Sequence, residues 1–360
     1  MTFLQIQRKK KWVEVLKKIK IGKKEISDIS PVFIIAEIGV NHNGNVETAE
    51  KLIDVAKQAG ADCVKFQTFV SEEEISKNAP LAEYQKGKFS NQLDLVKNLE
   101  LTENDFKNLK GYAENLELEF LSTPFDEGSV DVLEKIRVVG YKISSGDLNN
   151  IKLIKKIAST KKPIILSTGM ASFEEIKESI SWLQEEKTYY ALLHCVSCYP
   201  TNIEDCNLLA ISTLKEKFGV IVGFSDHTIG NEAALIATAL GAKIIEKHIT
   251  LDKTMNGPDH LMSMEPREFQ KFVTSIRKAE LAMGNGVKRC LPCEEEIKKV
   301  ARKSIVSSRT MTKGEIINEL DLKLKRPGTG IEPKYLDKMI GKCLKKNIEE
   351  DHLIKWDELD

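Results

Sequence analysis

After Pro31 one pattern recurs eight times: a short apolar segment that ends in polar or glycine residues, followed by a stretch with helical spacing. The segments are VFIIAEIG (32–39), DCVKFQT (62–68), LEFLSTP (118–124), GYKISSG (140–146), PIILSTG (163–169), YALLHCV (190–196), VIVGFSDH (220–227) and AKIIEKH (242–248). Between them apolar residues return at intervals of three and four, as in Ile176, Ile180 and Leu183, or Leu208, Ile211, Leu214 and Phe218. Near-continuous apolar strands need cover on both faces, so the pattern predicts an α/β fold in which eight parallel strands close into a (β/α)8 TIM barrel. A doubly wound open sheet is the rival architecture.

A barrel needs about 250 residues, and this chain has 360. The last barrel helix is expected over 266–283, where Gly284, Asn285 and Gly286 break it. We therefore expect a basic N-terminal extension and barrel-capping segment over 1–30, a catalytic barrel over 31–283, a linker over 284–300 and a small β-rich domain over 301–360. The extension carries the run Arg8 to Lys11 and further lysines up to Lys24, and reads as solvated. Over the whole chain 54 basic residues balance 54 acidic ones, so no global field favours nucleic acid or an anionic membrane. No apolar run has the length of a membrane span or of a signal peptide, and a cytoplasmic location is expected. Seven cysteines fit reduced thiols. The pairs Cys195/Cys198 and Cys290/Cys293 raise a four-thiolate zinc site, but nothing in their context brings them together.

In a parallel barrel the C-terminal strand ends open onto one face, and the residues there converge from all along the chain. They are Glu37 with Asn41, His42 and Asn43; Lys65 and Gln67; Ser122 and Thr123; Lys142, Ser144 and Ser145; Ser167 and Thr168; His194, Ser197 and Tyr199; Ser225, Asp226 and His227; and Glu246 and His248. Two lysines on nearby strands, with hydroxyls and glycines around them, suit a doubly anionic small molecule such as a phosphorylated substrate. His227 and His248 come from neighbouring strands and can approach one divalent ion, with Asp226 and Glu246 beside them. His42 fits turn chemistry, His194 a core-facing position, and His260 and His352 carry no signal.

The motifs AEIGVNHNG (36–44), KFQTF (65–69), STPF (122–125), KISSGDLNN (142–150), LSTGM (166–170), HCVSCYPT (194–201), GFSDHTIG (223–230), EKH (246–248) and GPDH (257–260) resemble, in order, those of the sialic acid synthase family, including legionaminate and pseudaminate synthases. KRPGTG (325–330) is similar to a loop of the antifreeze-like SAF domain that these synthases carry. The resemblance implies condensation of phosphoenolpyruvate with an N-acetylmannosamine-type aldehyde, giving a nine-carbon 2-keto acid and phosphate. It implies that Lys65, Lys142, Ser145, Ser167 and Ser225 hold phosphoenolpyruvate, with Thr123 at its carboxylate and Ser197 reaching phosphate through water. Glu37 is implied as the acid/base group, and Gln67, Tyr199, Asp259 and Arg326 as ligands of the acceptor sugar. Mn²⁺ or Mg²⁺ on His227 and His248 would polarise the aldehyde. A domain-swapped homodimer, with Arg326 entering the other subunit's site, is also implied.

Two departures concern the acceptor. Position 197 is Ser where N-acetylneuraminate synthases often have Asn, and EKHI replaces their RHF. Both look more like legionaminate or pseudaminate synthases, whose acceptors are 2,4-diacetamido-trideoxy hexoses. Two other readings stay open: a Schiff-base aldolase using Lys65 or Lys142, and a non-catalytic carbohydrate- or ice-binding protein.

Overall fold

The computed structural model describes residues 17–76 and 92–360, so the basic run Arg8 to Lys11 lies outside the described residues. Two strands, β1 (Lys18–Ile21) and β2 (Lys24–Ser27), form an antiparallel hairpin. Eight more form a closed parallel barrel: β3 (Phe33–Gly39), β4 (Cys63–Thr68), β5 (Glu119–Pro124), β6 (Tyr141–Ile143), β7 (Ile164–Ser167), β8 (Tyr190–Cys195), β9 (Val222–Asp226) and β10 (Ile244–His248). β10 pairs back onto β3, with His248 opposite Glu37. The open-sheet rival is thereby excluded. Among the described residues no helix is long and apolar enough to cross a membrane.

Side chains alternate across a strand, and that alternation builds two cores and one site. Ile34, Ala36 and Ile38 of β3 point outward and pack, with Val64, Phe66, Phe120, Leu166 and Phe224, against the surrounding helices. The opposite set, Phe33, Ile35, Cys63, Leu121, Ile165, Ala191, Leu193 and Ile244, fills the barrel interior. Following each inward row toward the strand's C-terminal end, the residues become polar: Glu37 after Ile35, Lys65 after Cys63, Thr123 after Leu121, Ser167 after Ile165, and Glu246 after Ile244. The apolar layers are a rigid floor beneath a polar rim.

The hairpin refines the reading of the N-terminal segment. Lys18 and Lys20 are exposed, but Ile19, Ile21 and Ile26 are buried in the interior core. Residues 18–27 thus close the barrel's N-terminal end, and only one face of this stretch is solvated.

The chain divides into two compact units, 1–284 and 285–360. The helix before the boundary spans Pro266–Met283 and ends at Gly284, whose φ of 59° no β-branched residue would accept readily. The stretch read as a linker contains a helix, Glu295–Ala301. In the second unit β11 (Ser304–Ser307) pairs antiparallel with β12 (Leu322–Lys325) over a core of Ile305, Met311, Ile317, Ile331, Met339, Leu344 and Ile354.

Candidate active site

A cavity of about 500 Å³ opens at the C-terminal rim of the barrel. Glu37, Lys65, Gln67, Thr123, Lys142, Ser145, Ser167, Ser197, Tyr199, Ser225, His227 and His248 all line it. Asp259 is not among the lining residues but stands 3.9 Å from His248, carboxylate Oδ2 to Nδ1. Arg326 belongs to the second unit, where it is exposed and donates from Nε to the Ala301 carbonyl (3.0 Å).

The cavity floor is a charge network. Lys65 Nζ lies 2.7 Å from Glu37 Oε2 and 3.8 Å from Glu246 Oε2, and donates to Thr123 Oγ1 at 3.0 Å. Lys142 Nζ is 3.8 Å from the other oxygen of Glu246, and Ser225 Oγ donates to that oxygen at 2.8 Å. Gln67 Nε2 donates to Glu37 Oε1 at 3.2 Å. Glu246, expected from the sequence beside the two histidines, instead joins the two lysines and Ser225. Its inward parity, shared with His248 two residues on, was the signal available.

These neighbours separate the two carboxylates. Burial pushes Glu37 up to about 7, helped by the charge of Glu246 and opposed by Lys65. Burial also acts to raise Glu246, but Lys142, Lys65 and the Ser225 bond override it and hold the group at about 2. One carboxyl is poised to exchange a proton near neutrality while the other stays a fixed anion. Burial depresses Lys142, with the repulsion of Lys65 adding to it and Glu246 opposing. Lys65 moves the other way: Glu246 and Glu37 outweigh its burial and hold it as the ammonium.

The hydroxyls form a second wall. Ser167 Oγ and Ser197 Oγ are buried without a hydrogen-bond partner, and Ser145 Oγ accepts from the Gly169 amide at 3.0 Å. A buried hydroxyl left unsatisfied costs stability, so such atoms mark places where a ligand supplies the missing bond. Gly169 makes this wall possible, since a Cβ there would come within 2.3 Å of Ser197 Oγ and 2.8 Å of Ser145 Oγ.

His227 and His248 face each other with ring centroids 5.7 Å apart. His227 Nδ1 donates to the Val196 carbonyl (2.8 Å), which leaves the Nε2 lone pair for a ligand. His248 Nδ1 is buried with no hydrogen bond, and burial together with the neighbouring His227 keeps this imidazole neutral, well below its ordinary pKa. Burial acts to lower His227, but its contacts with Cys195 and the Val196 carbonyl outweigh it and raise the group. The two facing imidazoles fit a divalent ion that keeps further positions for substrate. Among the described residues no group of three or more His, Cys, Asp or Glu side chains is arranged to hold an ion, and all seven cysteines are free thiols.

Other strand-end residues serve the scaffold. Asp226 points out of the cavity to Lys247 rather than standing beside the histidines as read from sequence, because it has outward parity. Asn41 binds the Ile249 carbonyl and Ser263. His42 accepts from the Gly44 amide in a turn through Asn43 (φ 52°) and Gly44 (φ 69°), and its burial lowers its pKa to about 4. His194 donates to the Cys206 carbonyl at 2.7 Å.

The NeuB family model matches residues 52–288, about two thirds of the chain. The chain belongs to the NeuB family. The SAF domain model matches residues 302–360, so the order of a TIM barrel followed by a SAF domain holds along the chain. An N,N'-diacetyllegionaminic acid synthase of Campylobacter jejuni is 44% identical over 89% of this chain and 98% of its own. An uncharacterized protein of Methanocaldococcus jannaschii is 46% identical over 96% of this chain and 99% of its own. Among solved structures, the N-acetylneuraminic acid synthetase of Leptospira borgpetersenii, in complex with citrate, superposes with a TM-score of 0.72 at 39% identity, covering 78% of this chain and 95% of its own. This NeuB-family chain is accordingly a sialic acid synthase-type enzyme.

Proposed function

We propose that this NeuB-family enzyme condenses phosphoenolpyruvate with an N-acetylated amino-sugar aldehyde, releasing phosphate and a nine-carbon 2-keto acid. The observation that carries the reading is the pairing, within one cavity, of two buried lysines and partnerless serine hydroxyls with two facing histidines. Lys65, Lys142, Ser145, Ser167 and Ser225 hold the phosphate and carboxylate of phosphoenolpyruvate, with Thr123 beside Lys65 and Ser197 within reach of phosphate. Gln67, Tyr199 and Asp259 meet the acceptor's hydroxyl and acetamido groups, orienting its carbonyl carbon toward C3 of the enol.

His227 and His248 would hold Mn²⁺ or Mg²⁺, which supplies Lewis-acid polarisation of the aldehyde when bound. The new bond forms between enol C3 and the aldehyde carbon, and the aldehyde oxygen takes up a proton. Water adds at C2, and the C–O bond to phosphate then breaks. Glu37, poised near neutrality, moves the proton between the attacking water and the departing groups. Lys65, 2.7 Å away, stabilises its ionised form.

For the acceptor we favour a 2,4-diacetamido-trideoxy hexose over N-acetylmannosamine. Ser197, EKHI in place of RHF, and the 44% identity to the Campylobacter diacetyllegionaminic acid synthase support that choice. Offering both sugars with phosphoenolpyruvate and comparing kcat/KM by phosphate release tests it. A preference for N-acetylmannosamine overturns the acceptor assignment, and no phosphate release with either sugar overturns the condensation.

We also propose a cytoplasmic, domain-swapped homodimer in which Arg326 completes the partner's acceptor site. The exposed side chain of Arg326 supports this. Only monomers by light scattering at assay concentration would dismiss it.

A further inference from the structure

We infer that Asp226 and Lys247 are positioning residues for the two histidines, holding both imidazoles from outside the barrel; the inference rests on the metal reading proposed above. Lys247 sits beside His248 on β10, and Asp226 sits beside His227 at the end of β9. The two residues are register partners. Both point outward into the layer between strands and helices, where they are 1% and 0% exposed, with Nζ 3.0 Å from Asp226 Oδ2. Phe272 of the final barrel helix covers the ammonium at 5.8 Å.

The tie reaches the residues on both sides of His227. Asp226 Oδ1 accepts from the Thr228 amide (2.9 Å) and hydroxyl (2.7 Å). Lys247 Nζ donates to the Thr228 carbonyl. His227 is therefore the middle residue of a three-residue segment whose two ends are fastened to the side chain preceding His248. Any sliding or rotation of β10 against β9 would have to break this charge-assisted set, so the relative placement of the two imidazoles is held by it.

A stability role alone accounts poorly for this pair. Burying two charges in an apolar layer costs desolvation that their attraction roughly repays, and apolar side chains of similar volume commonly serve as well for stability. What apolar packing lacks is direction. A carboxylate with two fixed acceptors and an ammonium bridging two strands specify one alignment, whereas Leu and Met would accept several.

The test is Mn²⁺ binding to purified metal-free full chain, read from the electron paramagnetic resonance of free Mn²⁺, alongside thermal unfolding. The double variant Asp226→Asn/Lys247→Met removes both charges and keeps an oxygen for the Thr228 amide. It should unfold within a few degrees of the wild type yet bind Mn²⁺ at least about tenfold more weakly, the lower end of the cost of losing groups that orient metal ligands. Lys247→Arg alone, which keeps a cation toward Asp226 and the Thr228 carbonyl, should retain most of the affinity. Affinity within twofold of wild type in the folded double variant overturns the inference and leaves the metal reading intact. Failure of the wild type to bind Mn²⁺ at all overturns both. Should the double variant not fold, Asp226→Asn alone decides, with at least a tenfold loss expected and an unchanged affinity overturning the inference.

Discussion

Lys65 Nζ and Glu37 Oε2 stand 2.7 Å apart at the floor of the cavity, both side chains almost wholly out of solvent. An ion pair this close would ordinarily hold a carboxyl low, yet burial and the charge of Glu246 prevail and Glu37 sits near 7. The cavity therefore has a group that releases a proton in the physiological range while an ammonium waits beside it.

Two outcomes are expected for Glu37. The pH profile of kcat/KM should show an ionisation near 7 that Glu37→Gln removes, together with a loss of activity of about 10²–10⁴-fold. Stability moves in a definite direction too. Between pH 4.5 and 7 the native chain keeps a proton on Glu37 that the unfolded chain has released, so this contribution is full below 4.5 and is lost as pH rises through 7. Urea unfolding at pH 5 and pH 8 should show the wild type losing up to about 3 kcal/mol more than Glu37→Gln across that interval. Equal losses would mean that Glu37 titrates like a solvated carboxyl.

Glu246 has the opposite sign. Held at about 2 by Lys142 and Lys65 against its burial, it adds stability above pH 4.5 that disappears as pH falls through 2. Glu246→Gln leaves Lys142 buried with no carboxylate within ion-pair distance among the described residues. A loss of about 3–5 kcal/mol is expected at pH 7, the range found when one member of a buried pair is removed. On the proposed function phosphoenolpyruvate brings anionic groups to the same lysines, so it should raise the Tm of the variant more than that of the wild type. An equal rise in both would mean that the substrate's charge lies elsewhere.

How far the site could be read before the fold was known depended on parity. Lys65, Lys142 and His248 were legible because each ends an apolar strand at an inward position, and a parallel barrel brings such ends together. Asp226 is adjacent to His227 in sequence but not in space, because neighbours on a strand face opposite sides, so its outward place is not legible from adjacency. Glu246 has the right parity, but the sequence sets it beside the histidines, and its tie to two lysines contributed by other strands shows only in the distances. The hairpin was hidden by composition, since four lysines between 18 and 24 outweighed the alternating Ile19 and Ile21 that fill the barrel's N-terminal end.

Metal dependence and the Schiff-base alternative separate at Lys142. Lys65 is held as an ammonium and is a poor nucleophile, whereas burial depresses Lys142 toward the free amine that an aldolase needs. Borohydride with pyruvate should nevertheless leave Lys142 unmodified by mass spectrometry. EDTA should abolish phosphate release, and added Mn²⁺ or Mg²⁺ should restore it. A trapped adduct on Lys142 with activity that survives EDTA would transfer the site to the aldolase reading.

Gly169 tests the serine wall without touching any charge. A methyl group there would lie 2.3 Å from Ser197 Oγ and 2.8 Å from Ser145 Oγ, inside any real contact, so at least one hydroxyl must leave its position. Both are short side chains at the cavity edge and can rotate, so Gly169→Ala should fold with a Tm close to wild type. On the proposed function, what it loses is the alignment of donors toward the phosphate of phosphoenolpyruvate, including the Gly169 amide that now meets Ser145. A displaced neutral hydrogen bond is worth about 0.5–1.5 kcal/mol, so KM for phosphoenolpyruvate should rise roughly 2- to 12-fold, with KM for the sugar little changed. A rise confined to the sugar would move the acceptor, rather than the phosphate, to this wall.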